Sequence, residues 1–132
     1  EAAPRAAKVE EKDIVANPSR EMLVGVWQRF VLDNANERKY GPILKILAAD
    51  GSFQNVSPVR VNNPKFGFGG TGTWAVEDGC LVETVAAKSG NIFDGKKNAM
   101  ELILSDNGKV MHIIWLNPIT GAKMDEFYEK VQ

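Results

Sequence analysis

The only histidine of the chain, His112, is the first residue whose type suggests catalysis. It lies among apolar residues in the stretch KVMHIIWL, residues 109–116. A general base needs a partner that orients it beside a cleft, and the sequence identifies neither for this histidine. Two interpretations therefore stay open: His112 is a satisfied or exposed strand residue, or it belongs to a binding or catalytic site.

The glycine-rich stretch KFGFGGTGTW, residues 65–74, suggests phosphate binding at first sight. A phosphate-binding glycine turn needs a strand before it and a helix after it, but these glycines run into a strand and a tight hairpin. A β-bulge at Gly69-Gly70 would place Gly67, Gly70, Gly72 and Trp74 on one face. Glycine in a strand marks a bend or a close approach, so the stretch makes room either for the protein's own aromatic side chains or for a ligand.

Other chemistry finds little support in the composition. The single Cys80 has no Cys or His cluster around it, so we expect neither a metal nor a cofactor. The glycines around Ser89 form a loop between hairpins rather than a nucleophile turn. A net charge of -1 gives no basic surface for nucleic acid, and no apolar run reaches the roughly 20 residues of a membrane span. We therefore expect a protein that is not an enzyme.

The elements that must position any site are almost all strands. Residues 1–18 predict an N-terminal extension or tether, and residues 19–132 a single domain that opens with the short helical turn NPSREML. Three hairpin turns are predicted at Asp50-Gly51, Asp78-Gly79 and Asn107-Gly108. Eight strands are expected at about residues 23–32, 43–48, 52–57, 71–77, 80–86, 99–105, 109–116 and 122–131. The pattern predicts an all-β, eight-stranded antiparallel up-and-down barrel closed by its first and last strands.

Alternation within these strands predicts where several side chains point. Glu83 and Glu101 lie in strands that alternate polar and apolar residues, so we expect both to face solvent. The aromatic residues have two roles open to them, since rings that fill a barrel core can also contact an apolar ligand. These residues are Phe53, Trp74, Trp115 and Phe127.

Both ends of the domain resemble a known family. The Gly25-x-Trp27 pair in LVGVW is similar to the opening of lipocalins and other calycins, and also to the start of fatty-acid-binding proteins. FYEKV, residues 127–131, resembles the final strand of those proteins. Together with GTWAVEDGCLVE, these stretches make residues 19–132 most similar to the uncharacterised lipocalin-like domains of exported bacterial proteins.

The resemblance implies a structural role for the barrel base. Trp27 would close the base beside Gly25, and Lys130, which stands where the family pattern has Arg, would cover the Trp27 ring. Pairing Trp27 with Lys130 puts Arg29 near Tyr128 and diagonal to Glu126. An interior Arg29–Glu126 pair follows, and it either supports the structure or orients a ligand.

Two departures separate this chain from fatty-acid-binding proteins. The link of residues 33–42 is too short for their two-helix lid. Glu126 also stands where their last strand has an inward Arg, and a glutamate repels a carboxylate.

The resemblance implies non-enzymatic binding or transport of a small, partly apolar molecule in the barrel. Candidate ligand-binding residues are Arg29, Trp74, His112, Trp115, Glu126 and Tyr128. The alternative is an exported protein–protein interaction module with a self-filled barrel, whose N-terminal leader or rim loops, especially 58–70 and 86–98, would contact a partner. A cavity of at least ~300 Å³ beside Trp74 would favour the carrier. A small barrel enzyme is the third hypothesis, and it would require activity that depends on His112 or Glu126.

The resemblance also implies an exported protein, either periplasmic or attached to the outer membrane through a lipid on a removed Cys. The chain begins at Glu1 without Met, which fits a processed product.

Overall fold

A computed structural model describes residues 11–56, 70–86, 94–117 and 120–132. It confirms the predicted fold class, since the strands form one closed antiparallel barrel in which each strand pairs with its neighbours along the chain. A single helical turn precedes the first strand. The elements are α1 (Arg20–Leu23), β1 (Gly25–Leu32), β2 (Arg38–Leu47), β3 (Ser52–Val56), β4 (Gly70–Glu77), β5 (Cys80–Val85), β6 (Lys97–Ser105), β7 (Val110–Leu116) and β8 (Lys123–Lys130).

The barrel closes where β1 pairs with β8, in the predicted register. Trp27 lies opposite Lys130, and Arg29 lies opposite Tyr128. Gly25 permits this closure, because a Cβ there would lie 2.1 Å from the backbone oxygen of Gln132 and the residue has a φ of +150°. The first and last strands can therefore approach closely only with glycine at this position.

Strand β2 begins earlier than the sequence suggested, at Arg38 rather than at residue 43. Pro42 was the misleading signal, because proline cannot donate to a sheet ladder. The register of β1 and β2 shifts between Gln28 and Phe30, and this irregularity accommodates Pro42 inside a continuous strand.

The base of the barrel is filled with apolar side chains. Trp27 is fully buried, its indole Nε1 donates to the Leu23 carbonyl at 2.8 Å, and the Lys130 ammonium lies 5.5 Å from its ring centre. Lys130 therefore lies over the Trp27 ring at the base of the barrel. Fully buried neighbours in this layer are Leu23, Leu47, Leu81, Leu104 and Met111.

The glycines of β4 allow the protein's own atoms to approach this strand closely. Gly70, Gly72 and Trp74 share one face, as predicted, while Thr71 and Thr73 face solvent. A Cβ on Gly72 would lie 1.9 Å from the Thr84 oxygen and 2.9 Å from the Phe53 ring. This contact favours the interpretation in which glycine makes room for the protein's own atoms. Gly67 and Gly69 lie outside the described residues.

Residues 11–15 pack along the outside of the turn between β6 and β7. The Val15 amide donates to the Leu104 carbonyl at 2.8 Å, and the Asp106 amide donates to the Lys12 carbonyl at 2.7 Å. Val15 also packs on the core, whereas Ile14 is 59% exposed. The described part of the N-terminal extension is therefore attached to the barrel.

Candidate functional site

A cavity of about 330 Å³ occupies the barrel above the filled base. It lies towards the end where β7 leads into β8. Its apolar walls come from inward-facing positions of five strands, since alternate residues of a strand point to the same side. These side chains are Ile43, Val85, Met100, Ile113, Trp115 and Met124.

One side of the cavity is built around the carboxylate of Glu126. Trp115 Nε1 donates to Glu126 Oε2 at 2.6 Å, and the Tyr128 hydroxyl donates to Oε1 at 2.7 Å. Glu126 and Tyr128 are two residues apart on β8 and therefore point to the same side of the sheet. Both carboxylate oxygens of Glu126 are thus engaged by neutral donors of the protein.

This environment favours the neutral form of Tyr128. Burial raises the pKa of the Tyr128 phenol well above its ordinary value of 10.0, and the adjacent Glu126 carboxylate raises it further. The phenol therefore stays a hydrogen-bond donor through the whole neutral range.

Arg29 stands beside this group, as the register of β1 and β8 predicted. Its Nη1 lies 3.9 Å from Glu126 Oε1, and its side chain is 29% exposed. The distance makes an ion pair without a direct hydrogen bond. The predicted Arg29–Glu126 interior pair is therefore present, and the arginine is its loosely held member.

The cavity also contains a second ion pair, which the sequence did not reveal and which joins β2 to β5 across the barrel. Lys45 Nζ donates to Glu83 Oε2 at 2.5 Å and to Asn55 Oδ1 at 2.9 Å. Lys45 is 2% exposed and Glu83 is 5% exposed. The ammonium also lies 5.6 Å from the centre of the Tyr128 ring, within range of a cation–π contact.

The prediction that Glu83 faces solvent was wrong, whereas Glu101 is exposed as expected. Glu83 shares the face of Leu81 and Val85, which are both buried, and this alternation was a usable signal. Its partner Lys45 lies 38 residues away along the chain and on a strand that does not pair with β5. Burial of Glu83 therefore depends on a contact across the barrel, which local alternation does not reveal.

Trp74 lies in the core rather than against the cavity. It is 4% exposed, its Nε1 donates to the Ala48 carbonyl at 2.9 Å, and the Arg20 guanidinium lies 4.8 Å from its ring centre. The structure thus brings together four of the candidate ligand-binding residues and leaves Trp74 at the base. The four are Arg29, Trp115, Glu126 and Tyr128.

His112 lies on the outer face of β7, away from the cavity. Its Nδ1 is 2.5 Å from Glu11 Oε1 and its Nε2 is 2.8 Å from Asp125 Oδ1. The imidazole stacks on the Phe127 ring with centroids 4.1 Å apart. This histidine therefore matches the interpretation of a satisfied strand residue, and it links the N-terminal segment to the sheet.

The rim loops proposed as a protein-binding surface lie mostly outside the described residues, since only Gly70, residue 86 and residues 94–98 fall within them. Among the residues that the structure describes, no group of three or more His, Cys, Asp or Glu side chains could hold a metal ion. No helix in the described ranges is long and apolar enough to cross a membrane.

Comparison with known proteins gives one finding. A search among curated proteins returned no match. A family model described as "Domain of unknown function (DUF4488)" matches residues 22–132, which include all eight strands and the whole cavity. The chain belongs to this family.

Proposed function

We propose that this protein is a non-enzymatic carrier that binds a small, partly apolar molecule in its barrel cavity. The observation that carries the proposal is the cavity of about 330 Å³, which is as large as the smaller ligand sites of proteins. Six apolar side chains from the described ranges line it, and a few fixed polar groups converge on it. This combination is typical of sites that hold an apolar body and orient one polar group.

The barrel architecture is compatible with a lipocalin-like carrier. In such barrels the interior of an eight-stranded sheet is just wide enough to hold one small ligand when side chains leave part of it open. Here the base is filled by Trp27, Leu47 and Leu81, whereas the opposite half retains space. This division supports a carrier over the interaction module, for which we expected side chains to fill the whole interior.

The position of His112 supports the non-enzymatic part of the proposal. Of the residues considered for acid–base chemistry, His112 lies outside the barrel between two carboxylates. Glu126 lies inside, but both of its oxygens accept hydrogen bonds from the protein.

Titration with the neutral fluorescent dye N-phenylnaphthylamine tests the proposal. We expect saturable binding that is abolished by Ile43→Trp, because the larger side chain would fill the cavity. The matched control is Leu44→Trp, which adds the same side chain at the next position, on the outer face of the same strand. Absence of dye binding to the unmodified protein, or equal binding by the two variants, would refute a carrier role for the cavity.

An exported location is a further proposal, and it rests on the family resemblance. Fractionation of the source cells with an antibody against the chain is expected to recover it outside the cytoplasm. Recovery in the cytoplasmic fraction would contradict it.

A further inference from the structure

Of the charged side chains that the described residues place in the cavity, that of Arg29 has hydrogen-bonding capacity that the protein leaves unused. Its guanidinium offers five N–H donors, and its nearest carboxylate oxygen, on Glu126, is 3.9 Å away. Within the described ranges of the chain, the Arg29 side chain makes no hydrogen bond. The side chain lines the cavity and is partly exposed, so a molecule in the cavity can reach these donors.

The other charged groups that the described part of the chain places in the cavity already have hydrogen-bond partners. Lys45 donates to Glu83 and to Asn55, and the Glu126 oxygens accept from Trp115 and Tyr128. No buried polar side-chain atom in the described residues lacks a hydrogen-bond partner. A ligand that competed for these groups would have to break bonds of the protein, whereas a ligand that bound Arg29 would not.

The charge balance decides which kind of acceptor suits Arg29. Among the residues that the structure describes, the cavity is lined by two cations, Arg29 and Lys45, and two carboxylates, Glu83 and Glu126. These charges cancel, so an anionic ligand would place a third carboxylate in a partly desolvated space beside Glu126. Like charges brought together in such a site repel strongly, and a neutral acceptor avoids this cost.

We propose that the cavity selects neutral ligands that join an apolar body to a carbonyl-type hydrogen-bond acceptor, such as an amide or an ester, and that Arg29 binds this acceptor. The apolar body packs between Ile43, Met100 and Met124. This inference rests on the proposed carrier function and specifies its ligand class. It also assigns Glu126 a selective role, since its negative charge cancels the attraction that Arg29 would otherwise exert on a carboxylate.

Competition with the bound dye tests this selectivity, using decanamide and decanoate as probes. The two molecules share one apolar chain and differ in the charge of the polar group. On the unmodified protein we expect decanamide to displace N-phenylnaphthylamine at a concentration at least about tenfold lower than decanoate does. Equal competition, or a preference for decanoate, would overturn the inference while leaving the carrier function intact.

Two variants test whether Arg29 and Glu126 cause the preference for decanamide over decanoate. Arg29→Met should weaken decanamide about tenfold relative to the dye, because the donor is lost while the apolar part of the side chain remains. Glu126→Gln should strengthen decanoate relative to decanamide, because the positive charge of Arg29 is then uncompensated. Unchanged decanamide affinity in Arg29→Met, or unchanged preference in a Glu126→Gln protein that still binds the dye, would refute the assignment.

Binding of the dye distinguishes a failure of the carrier function from a failure of the proposed ligand class. If the unmodified protein does not bind N-phenylnaphthylamine, the carrier function fails and the ligand class fails with it. If the dye binds but the two competitors are not distinguished, only the ligand class fails.

Discussion

At the scale of single residues, the buried Lys45–Glu83 pair is the feature of the interior whose stability depends most on both partners being present. Desolvating two charges costs several kcal/mol, and the short contact between them, with Asn55 as a further acceptor, offsets that cost. Removing one partner leaves the other charge buried without compensation. The pair therefore makes the interior sensitive to single changes and tolerant of paired ones.

Lys45→Met should lower the free energy of unfolding by about 3–5 kcal/mol, because Glu83 is then left unpaired. The double variant Lys45→Met/Glu83→Leu should recover most of this loss, as measured by urea unfolding. Lys97→Met is the matched control, since Lys97 and Glu77 form an ion pair 3.4 Å long with 61% and 53% exposed side chains. That control should cost less than about 1 kcal/mol. A buried-site variant no more costly than the control would contradict this view of the pair.

The raised pKa of Tyr128 predicts a specific alkaline behaviour. Because folding favours the neutral phenol, Tyr128 contributes stability that is fully present below its unfolded pKa of about 10.0 and is lost as the pH rises through its folded pKa. Tyr128→Phe should therefore make the alkaline fall in unfolding free energy less steep, as measured by urea unfolding at a series of pH values above 10.0.

Tyrosinate absorbance provides an independent check on the same group. Tyr40 is about half exposed, and its partial burial together with its hydrogen bond to Glu129 raises the pKa of its phenol. In the folded protein we expect Tyr40 to ionise before Tyr128, and Tyr128 to ionise only as the barrel unfolds. Simultaneous ionisation of both phenols without loss of structure would be inconsistent with a buried Tyr128.

At the scale of elements, the close approach of β4 and β5 depends on one missing side chain. Gly72→Ala would place a Cβ 1.9 Å from the Thr84 backbone oxygen, and neither strand can yield without breaking ladder bonds. We expect a loss of about 1–3 kcal/mol in the free energy of unfolding.

Gly41→Ala in β2 is the control for this change. The nearest atom to its added Cβ is the Arg29 oxygen at 3.9 Å, so that variant should be close to neutral or slightly stabilising. Equal effects of the two alanines would show that the packing of Gly72 is unimportant.

Sequence patterns were sufficient to predict the order of the strands and the pairing of β1 with β8 that closes the barrel. Turn residues such as Asp78-Gly79 identify hairpins locally, and the Trp27–Lys130 register follows from short motifs at the two ends. The start of β2 was missed because Pro42 looks like a strand breaker until its irregular pairing with β1 is known. Elements that depend on neighbouring residues were thus predictable, and an irregularity that depends on the partner strand was not.

At the scale of the whole molecule, the site was only partly predictable. The pairing of β1 with β8 places three of the site residues side by side, and the sequence therefore identified them. They are Arg29, Glu126 and Tyr128. Lys45 and Glu83 were missed because their contact crosses the barrel. Trp74 was expected near the cavity because its strand runs from the glycine-rich stretch. Its ring instead packs in the filled core, and the cavity lies beside Trp115.

The barrel as a whole combines a base filled with apolar side chains and an opposite half that retains a cavity. This arrangement explains why the polar side chains of the cavity can be held in fixed positions while space remains beside them. The central claim is that the space takes up a small neutral molecule next to Trp115.

The three tryptophans offer the most direct measurement of that claim. In protein labelled with ¹⁵N at tryptophan, the indole N–H resonances of Trp27, Trp74 and Trp115 report on the base, the core and the cavity respectively. Titration with decanamide should shift the Trp115 resonance, assigned through Trp115→Phe, in a saturable manner and leave the other two nearly unchanged. No shift at Trp115, or shifts confined to Trp27 and Trp74, would contradict ligand binding in this cavity.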